Sequence, residues 1–286
     1  MVNLQDYIND SRHFKTIKVN DLMFVEYKCL ISEEQSDIWN HNNYFAYVLG
    51  GRKGWQTTDK EYLVGSEEAL FVKKGAHTVY QYFEAPFLVL FVFIPDESIK
   101  QIISKYPHLL NSGRRAAIEV SDIVPIAVNQ VLNTYFQSLL TYFDSPQAPS
   151  TDLLYLKMEE LILTILSQPS NPELKKIITK IGQKQSYDLQ SIMEANFKYP
   201  LSLNEFARLS ARSLSTFRRD FKKAYQTTPS KWLIKKRLTL SKLLLNTSEK
   251  PINQIVDECG FKNRSHFIKA FKQEFGIPPH RFKIMN

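Results

Sequence analysis

Leu203-Asn-Glu-Phe-Ala-Arg-Leu-Ser-Ala211 is matched forty-nine positions later by Ile252-Asn-Gln-Ile-Val-Asp-Glu-Cys-Gly260, and the fold of the chain turns on that repeat. Past these stretches the offset becomes fifty: Phe217 corresponds to Phe267, Phe221 to Phe271, Lys222 to Lys272, Pro229 to Pro279 and Trp232 to Phe282. One extra residue in the turn of the second copy accounts for the change. Each copy has an apolar-periodic first helix, a small turn residue (Ala211, Gly260), a cap candidate (Ser213, Asn263) and a second helix with aromatics at i and i+4. Aromatics at that spacing are often no more than packed core, and a helical repeat without a ligand is the plain alternative. The shared turn spacing and the basic residues between the aromatics point instead to two helix-turn-helix units that read DNA.

Charge supports this placement. The 286 residues carry a net +8, but residues 187–286 hold 19 Lys and Arg against 8 Asp and Glu, or +11, which leaves 18 against 21, or −3, for the remainder. Basic charge is gathered at the carboxyl end, as phosphate binding requires, although a charge run taken alone equally fits a solvated face. In a helix-turn-helix the second helix enters the major groove. For the first unit that helix is expected over about 214–225. With Phe217 and Phe221 turned inward, Ser215, Thr216, Arg218, Arg219 and Lys222 fall on or near its outer face. In the second unit Phe267 and Phe271 are the inward pair, leaving Arg264, Ser265, Ile268 and Lys269 outward and His266 and Lys272 nearer the phosphates. Arg can grip guanine O6 and N7 with two bonds, so Arg218 and Arg219 are the foremost base-contact candidates. Ile268 either presses on a thymine methyl or marks the second unit as mainly positional. A joining helix over about 230–245, seated by Trp232, Leu233, Leu238, Leu243 and Leu244, spans on the order of 22 Å. The widths of the two units then bring the recognition helices toward one duplex turn apart, about 34 Å.

The last hundred residues resemble the DNA-binding domain of the AraC/XylS family of bacterial transcription regulators. The resemblance runs through Leu203 to Phe221, Arg237-Leu238, Leu243-Leu244, Ile255, Gly260-Phe261, Phe267 to Phe271 and the closing Phe275-Gly276-Ile277-Pro278-Pro279. Ser241 stands where the family commonly has Ala. By this resemblance Ser215, Arg218 and Arg219 occupy base-contact positions, and the protein is expected to be an activator that recruits RNA polymerase.

Residues from about 14 to 94 read as strands, with runs such as Leu22-Met-Phe-Val-Glu-Tyr27, Ala69-Leu-Phe-Val72 and Phe87-Leu-Val-Leu-Phe-Val-Phe-Ile94 broken by Gly, Asp and Pro. A β-sandwich or barrel follows. Gly65 to His77 resembles the turn of the cupin-like sensor domains that precede such DNA-binding domains, with Lys73-Lys74 where prolines are common. Cupin enzymes need several converging metal ligands, and here His77 has no His two residues away, while His41 is the other His between strands. No metal and no cofactor is expected. Trp39, Tyr44, Trp55, Phe71, Tyr80, Tyr82 and Phe83 either line a ligand pocket or pack as core.

From Asp96 onward the period is helical. Val128, Leu132, Tyr135, Phe136, Leu139 and Phe143 share a face, and the helix from about 152 to 167 is apolar on most sides and needs cover on more than one. These helices close the core and are also expected to form a homodimer contact, as in related regulators. Residues 154–163 resemble in particular the AraC-family activators of type III secretion genes, which implies control by a protein partner as an alternative to a small-molecule effector. The expected architecture is α+β: a cupin-like sensor and dimerisation domain over 1–167 with flanking helices, a linker over 168–186 carrying one short helix, and an all-α domain of two helix-turn-helix units over 187–286.

The amino terminus has neither a basic start nor an apolar stretch, and no run of eighteen apolar residues occurs, so a cytoplasmic protein without membrane attachment is expected. Cys29 and Cys259 are read as buried structural thiols in preference to redox sensors. Three other functions compete. A cupin-type metal enzyme with a DNA-binding appendage lacks its ligand set, an alkyl-accepting repair protein lacks partners for its cysteine, and a non-specific architectural binder would prefer no sequence.

Overall fold

The structure is a computed structural model that describes residues 1–20, 22–29, 34–57, 60–110, 121–183 and 189–284. Two compact units divide the chain, Met1–Gln185 and Ser186–Asn286. The first begins with β1 (Val2–Asn3), α1 (Leu4–Asp10), β2 (Lys15–Val19), β3 (Leu22–Lys28), β4 (Gln35–Asn40), β5 (Asn43–Gly50) and β6 (Lys53–Gln56). It continues through β7 (Glu61–Val64), β8 (Ala69–Val72), β9 (Gly75–Gln81), β10 (Leu88–Ile94), α2 (Asp96–Lys105), β11 (Ile123–Ile126), α3 (Gln130–Phe143), α4 (Thr151–Ser167) and α5 (Pro172–Gln183). The strands form two sheets, ordered β1-β4-β9-β6-β7 and β11-β8-β5-β10-β3-β2.

β10 shows why the sequence there lacks alternation. Val89, Phe91 and Phe93 pack with Ile38, Trp55 and Val79 of the five-stranded sheet, whereas Leu90, Val92 and Ile94 pack with the buried faces of α2 to α5. A strand covered on both faces is apolar throughout. The unit is therefore a sandwich of two sheets with helices over one of them, and its separate sheets decide between the sandwich and barrel expectations. α4 buries Leu154, Met158, Leu161, Ile162, Ile165 and Leu166 in that helical layer and leaves Leu156 61% exposed.

Two local expectations change. Ile123-Val-Pro-Ile126, in a region read as helical, pairs antiparallel with β8 from Ile123↔Val72 to Ile126↔Ala69. Pro125 masks the signal, and the strand tolerates it because β11 is at the sheet edge. Residues 172–183, read as part of a linker, form α5 with Leu174, Ile177, Ile178 and Ile181 buried in the first unit's core. Gly182 makes that packing close, since a Cβ there would stand 2.3 Å from Ile103 Cδ1. The end of the expected linker and the expected boundary at 187 lie outside the described residues.

Inside the sandwich, Trp55 Nε1 donates to Tyr44 Oη at 3.1 Å, and Tyr44 Oη lies 2.8 Å from His77 Nε2. The direction of the Tyr44–His77 hydrogen bond follows the imidazole tautomer, since the hydroxyl oxygen can accept from Trp55 and still either donate to or accept from Nε2. Burial pushes the His77 pKa down to about 3, opposed by the Asp122 carboxylate.

The second unit consists of α6 (Leu189–Asn196), α7 (Leu203–Leu209), α8 (Leu214–Tyr225), α9 (Pro229–Thr247), α10 (Ile252–Glu258), α11 (Arg264–Phe275) and α12 (Pro279–Ile284). α9 packs against α8 of the first helix-turn-helix unit and against α10, α11 and α12. The repeat extends to ring geometry. Phe221 meets Trp232 edge-on with centroids 6.0 Å apart, and Phe271 meets Phe282 edge-on at 5.6 Å. With 19 residues α9 spans about 28 Å, longer than the sequence expectation by about one turn.

Candidate nucleic-acid interface

The two helix-turn-helix units are built by the same hydrogen bonds. In the first turn Ala211 N–H donates to Arg208 O at 3.0 Å and Arg212 N–H to Ala207 O at 2.9 Å. In the second, Gly260 N–H donates to Asp257 O at 2.9 Å and Phe261 N–H to Val256 O at 3.1 Å. Both turn residues are left-handed, Ala211 with φ 53° and Gly260 with φ 76°. The second turn tolerates no side chain, because a Cβ on Gly260 would lie 2.5 Å from Lys198 O. Ser213 Oγ then accepts from Thr216 N–H at 3.2 Å, and Asn263 Oδ1 accepts from His266 N–H at 3.0 Å, starting α8 and α11 at matching points. α7 adds a capping box between Ser202 and Glu205.

Phe217, Phe221, Phe267 and Phe271 are fully buried, which fixes the outward faces of the two helices. On α8, Ser215, Arg218, Arg219 and Lys222 are exposed. Thr216 is half-buried, and its Oγ1 accepts from Ser213 Oγ at 2.9 Å, so it completes the cap more than it faces outward. On α11, Arg264, Ser265, His266, Lys269 and Lys272 are exposed. Ile268 departs from the expected outward position. It is half-buried and packs against the cluster of Leu238, Ile255, Phe267 and Phe271, because an apolar chain beside a small core gains by leaning inward.

Two features of this surface had no clear mark in the sequence. Asp220 sits in α8 between two arginines, taking Arg219 Nε and Nη2 at 3.3 Å on Oδ1 and Arg212 Nε at 3.2 Å on Oδ2. The fifty-residue offset places Ala270 at the equivalent point of α11, so the two recognition helices differ in how their basic chains are held. Arg237 of α9 points away from solvent, with Nε donating to Phe197 O at 2.7 Å and Nη2 to Tyr199 O at 2.8 Å. Burial pulls its pKa down to about 10. It clamps the connection between α6 and α7 against the Gly260 turn. Cys259, beside that turn, is buried, and burial pushes its thiol up to about 12.

In the first unit, Trp39, Tyr44, Trp55 and Phe71 are core residues, Tyr80 and Tyr82 are half-buried and Phe83 is exposed. The cavity bounded by Leu4, Tyr27, Ile38, Lys53, Trp55, Val79 and Phe91 holds about 10 Å³, the room of a single water. His41 Nδ1 lies 3.3 Å from Asn3 Nδ2, and His77 is engaged by Tyr44. Among the described residues no group of three His, Cys, Asp or Glu is placed to hold a metal ion, and no helix is long and apolar enough to cross a membrane.

Comparison with known proteins agrees with the two-part architecture. Residues 43–177 match the family model of the ExsA N-terminal regulatory domain, and residues 206–284 match that of a helix-turn-helix domain. The chain is similar to the virulence regulon transcriptional activator VirF of Yersinia enterocolitica, at 24% identity over 237 residues, 83% of this chain and 87% of that protein. It is also similar to the HTH-type transcriptional regulator ExsA of Pseudomonas aeruginosa, at 25% identity over 234 residues, 82% of this chain and 83% of that one. Among solved structures, ToxT from Vibrio cholerae covers 93% of this chain and 99% of its own, with 12% identity and a TM-score of 0.42.

Proposed function

The chain belongs to the AraC family of DNA-binding transcription regulators and is not an enzyme, and on that premise we propose that it activates transcription by setting α8 and α11 into consecutive major grooves on one face of a duplex. The observation that carries this reading is the repeated turn, cap and buried aromatic pair, which leaves basic outer faces on both helices. The metal-enzyme alternative falls with the family assignment.

Arg218 and Arg219 contact bases from α8, Ser215 and Thr216 support the helix start against the backbone, and Lys222 holds phosphate. On α11, Arg264, Ser265 and Lys269 lie at the contact positions, His266 and Lys272 neutralise phosphates, and Ile268 contributes mainly to packing. The half-buried Ile268 supports a division of labour in which α8 specifies and α11 mainly positions.

The amino-terminal unit regulates this activity. Beside Trp55 its sandwich interior leaves about 10 Å³, while wider clefts of about 260 Å³ between α2 and α4 and about 330 Å³ beside β9 open at its surface. The effector is a small molecule or a protein partner. A homodimer contact through the helical layer, where α4 exposes Leu156 and α3 exposes Val131, and recruitment of RNA polymerase complete the proposal.

Selection of binding sites from random duplexes, repeated with Arg219→Ala and Lys272→Ala, tests the readout. Arg219→Ala is expected to weaken specific binding by about 1–3 kcal/mol and relax one or two base pairs. Lys272→Ala is expected to weaken all sequences alike and flatten the salt dependence by about one unit of slope. An unchanged motif for both Arg218→Ala and Arg219→Ala overturns the assignment.

A further inference from the structure

The first unit buries a lysine against a thiol. Lys53, at the start of β6, is 6% exposed, and its Nζ donates to Cys29 Sγ at 3.3 Å and to Gln81 Oε1 at 3.4 Å. Among the described residues no carboxylate pairs with it. An ammonium group is seldom buried without one, because desolvation disfavours its charge. Its pKa is accordingly lowered, with burial as the main cause and the nearby thiol acting against it. The sulfur is held from further sides: Cys29 Sγ donates to Gln81 Oε1 at 2.8 Å, and the Tyr27 hydroxyl lies 3.7 Å away. Cys29 is also half-exposed, in contrast to its expected burial.

Cys29 follows the end of β3 in the six-stranded sheet, and Lys53 opens β6 in the five-stranded one. We infer that Cys29 and Lys53 form a modification site for hydroperoxides, at which oxidation of the thiol joins its sulfur covalently to the lysine nitrogen and ties the two sheets together. The chemistry balances in two steps. The Cys29 sulfur attacks one oxygen of the peroxide, the O–O bond breaks, the thiol proton leaves with the departing oxygen as water or alcohol, and a sulfenic acid remains. Lys53 Nζ, after releasing its ammonium proton to solvent, then attacks that sulfur through its lone pair, and the hydroxyl departs as water with one further Nζ proton. Sulfur is oxidised once, one peroxide is reduced, and the protein loses two hydrogen atoms. Proximity favours the second step, since the nucleophile is already in contact with the sulfur. Cys259 provides an internal control, being buried with its thiol pKa pushed up to about 12 and therefore slow to react.

The test uses the reduced full-length protein treated with hydrogen peroxide and then analysed by intact and peptide mass spectrometry. The expected product is lighter by two hydrogen atoms, contains a peptide pair joined through Cys29 and Lys53, unfolds at higher urea than the reduced form and returns to the starting mass with dithiothreitol. Lys53→Arg keeps a buried cation but lacks the amine nucleophile, so it is expected to stop at a sulfenic acid that dimedone captures. Wild-type protein whose Cys29 proceeds to sulfinic acid with Lys53 unmodified overturns the inference. So does Lys53→Arg losing the same two hydrogens. Should Lys53→Arg fail to fold, the wild-type peptide map decides alone.

Discussion

Arg219 and Arg237 show how one side chain type is put to opposite uses by its surroundings. Arg219 is 74% exposed on α8 with a single carboxylate beside it, ready to exchange that weak pairing for a base or phosphate. Arg237 is buried and spends its donors on Phe197 O and Tyr199 O, so it sets backbone geometry and is unavailable to DNA. His77 gives the residue scale a pH signature. Its folded pKa of about 3 lies below the usual 6.5, so the unfolded chain takes up a proton that the native protein refuses. The stability this contributes is complete above about pH 6.5 and is lost as pH falls toward 3, by at most about 1.4 kcal/mol per pH unit. His77→Gln, neutral at every pH and still able to hydrogen-bond Tyr44, is expected to flatten that acid limb. Urea midpoints between pH 7 and pH 4 on the two proteins measure it, and parallel curves would exclude His77 as the source. The burial of His77 was not legible beforehand, because a strand residue facing inward and one in an exposed turn look alike until the partner sheet is in place.

At the scale of elements, the turns and helix ends are written locally and were legible. Ser213 and Asn263 cap the helices they were expected to cap, since a cap depends on a few neighbouring backbone amides. β11 was missed, and α5 was read as a short linker helix and not as part of the core, for the converse reason. Four residues with a proline among them carry too little pattern to announce a strand, and α5 sits among polar and basic residues that suggest a connector. Their places are set by β8 and by the α2 face, both distant in sequence. Gly260 and Gly276 separate backbone strain from crowding. Both are left-handed, at φ 76° and 81°, but a Cβ meets Lys198 O at 2.5 Å in the first and nothing within 4 Å in the second. Gly276→Ala is expected to cost about 1–2 kcal/mol, the conformational penalty alone. Gly260→Ala is expected to cost about 2 kcal/mol beyond that, because backbone must move. Equal urea midpoints for the two variants would show that the α10–α11 turn yields where its packing says it should not.

For the whole molecule, the consequence of one continuous α9 is a fixed spacing between the two recognition helices. Inserting five base pairs between the two contacted segments is expected to reduce affinity at least tenfold, about 1.4 kcal/mol, and inserting ten is expected not to restore it. Gel-shift titrations at one salt concentration measure this, and recovery with ten base pairs would mean that the helix-turn-helix units move independently. The repeat, its turn chemistry, the basic carboxyl end and the stranded amino-terminal half were determined by the sequence itself, because periodicity, capping and charge act between residues close along the chain. The tertiary structure alone decided that the strands make a sandwich, that α5 joins its core, that Ile268 leans inward, that Arg237 is a clamp and that Lys53 lies against Cys29. Each of those outcomes depends on which distant residue removes water from a side chain, and that is settled only when the layers close.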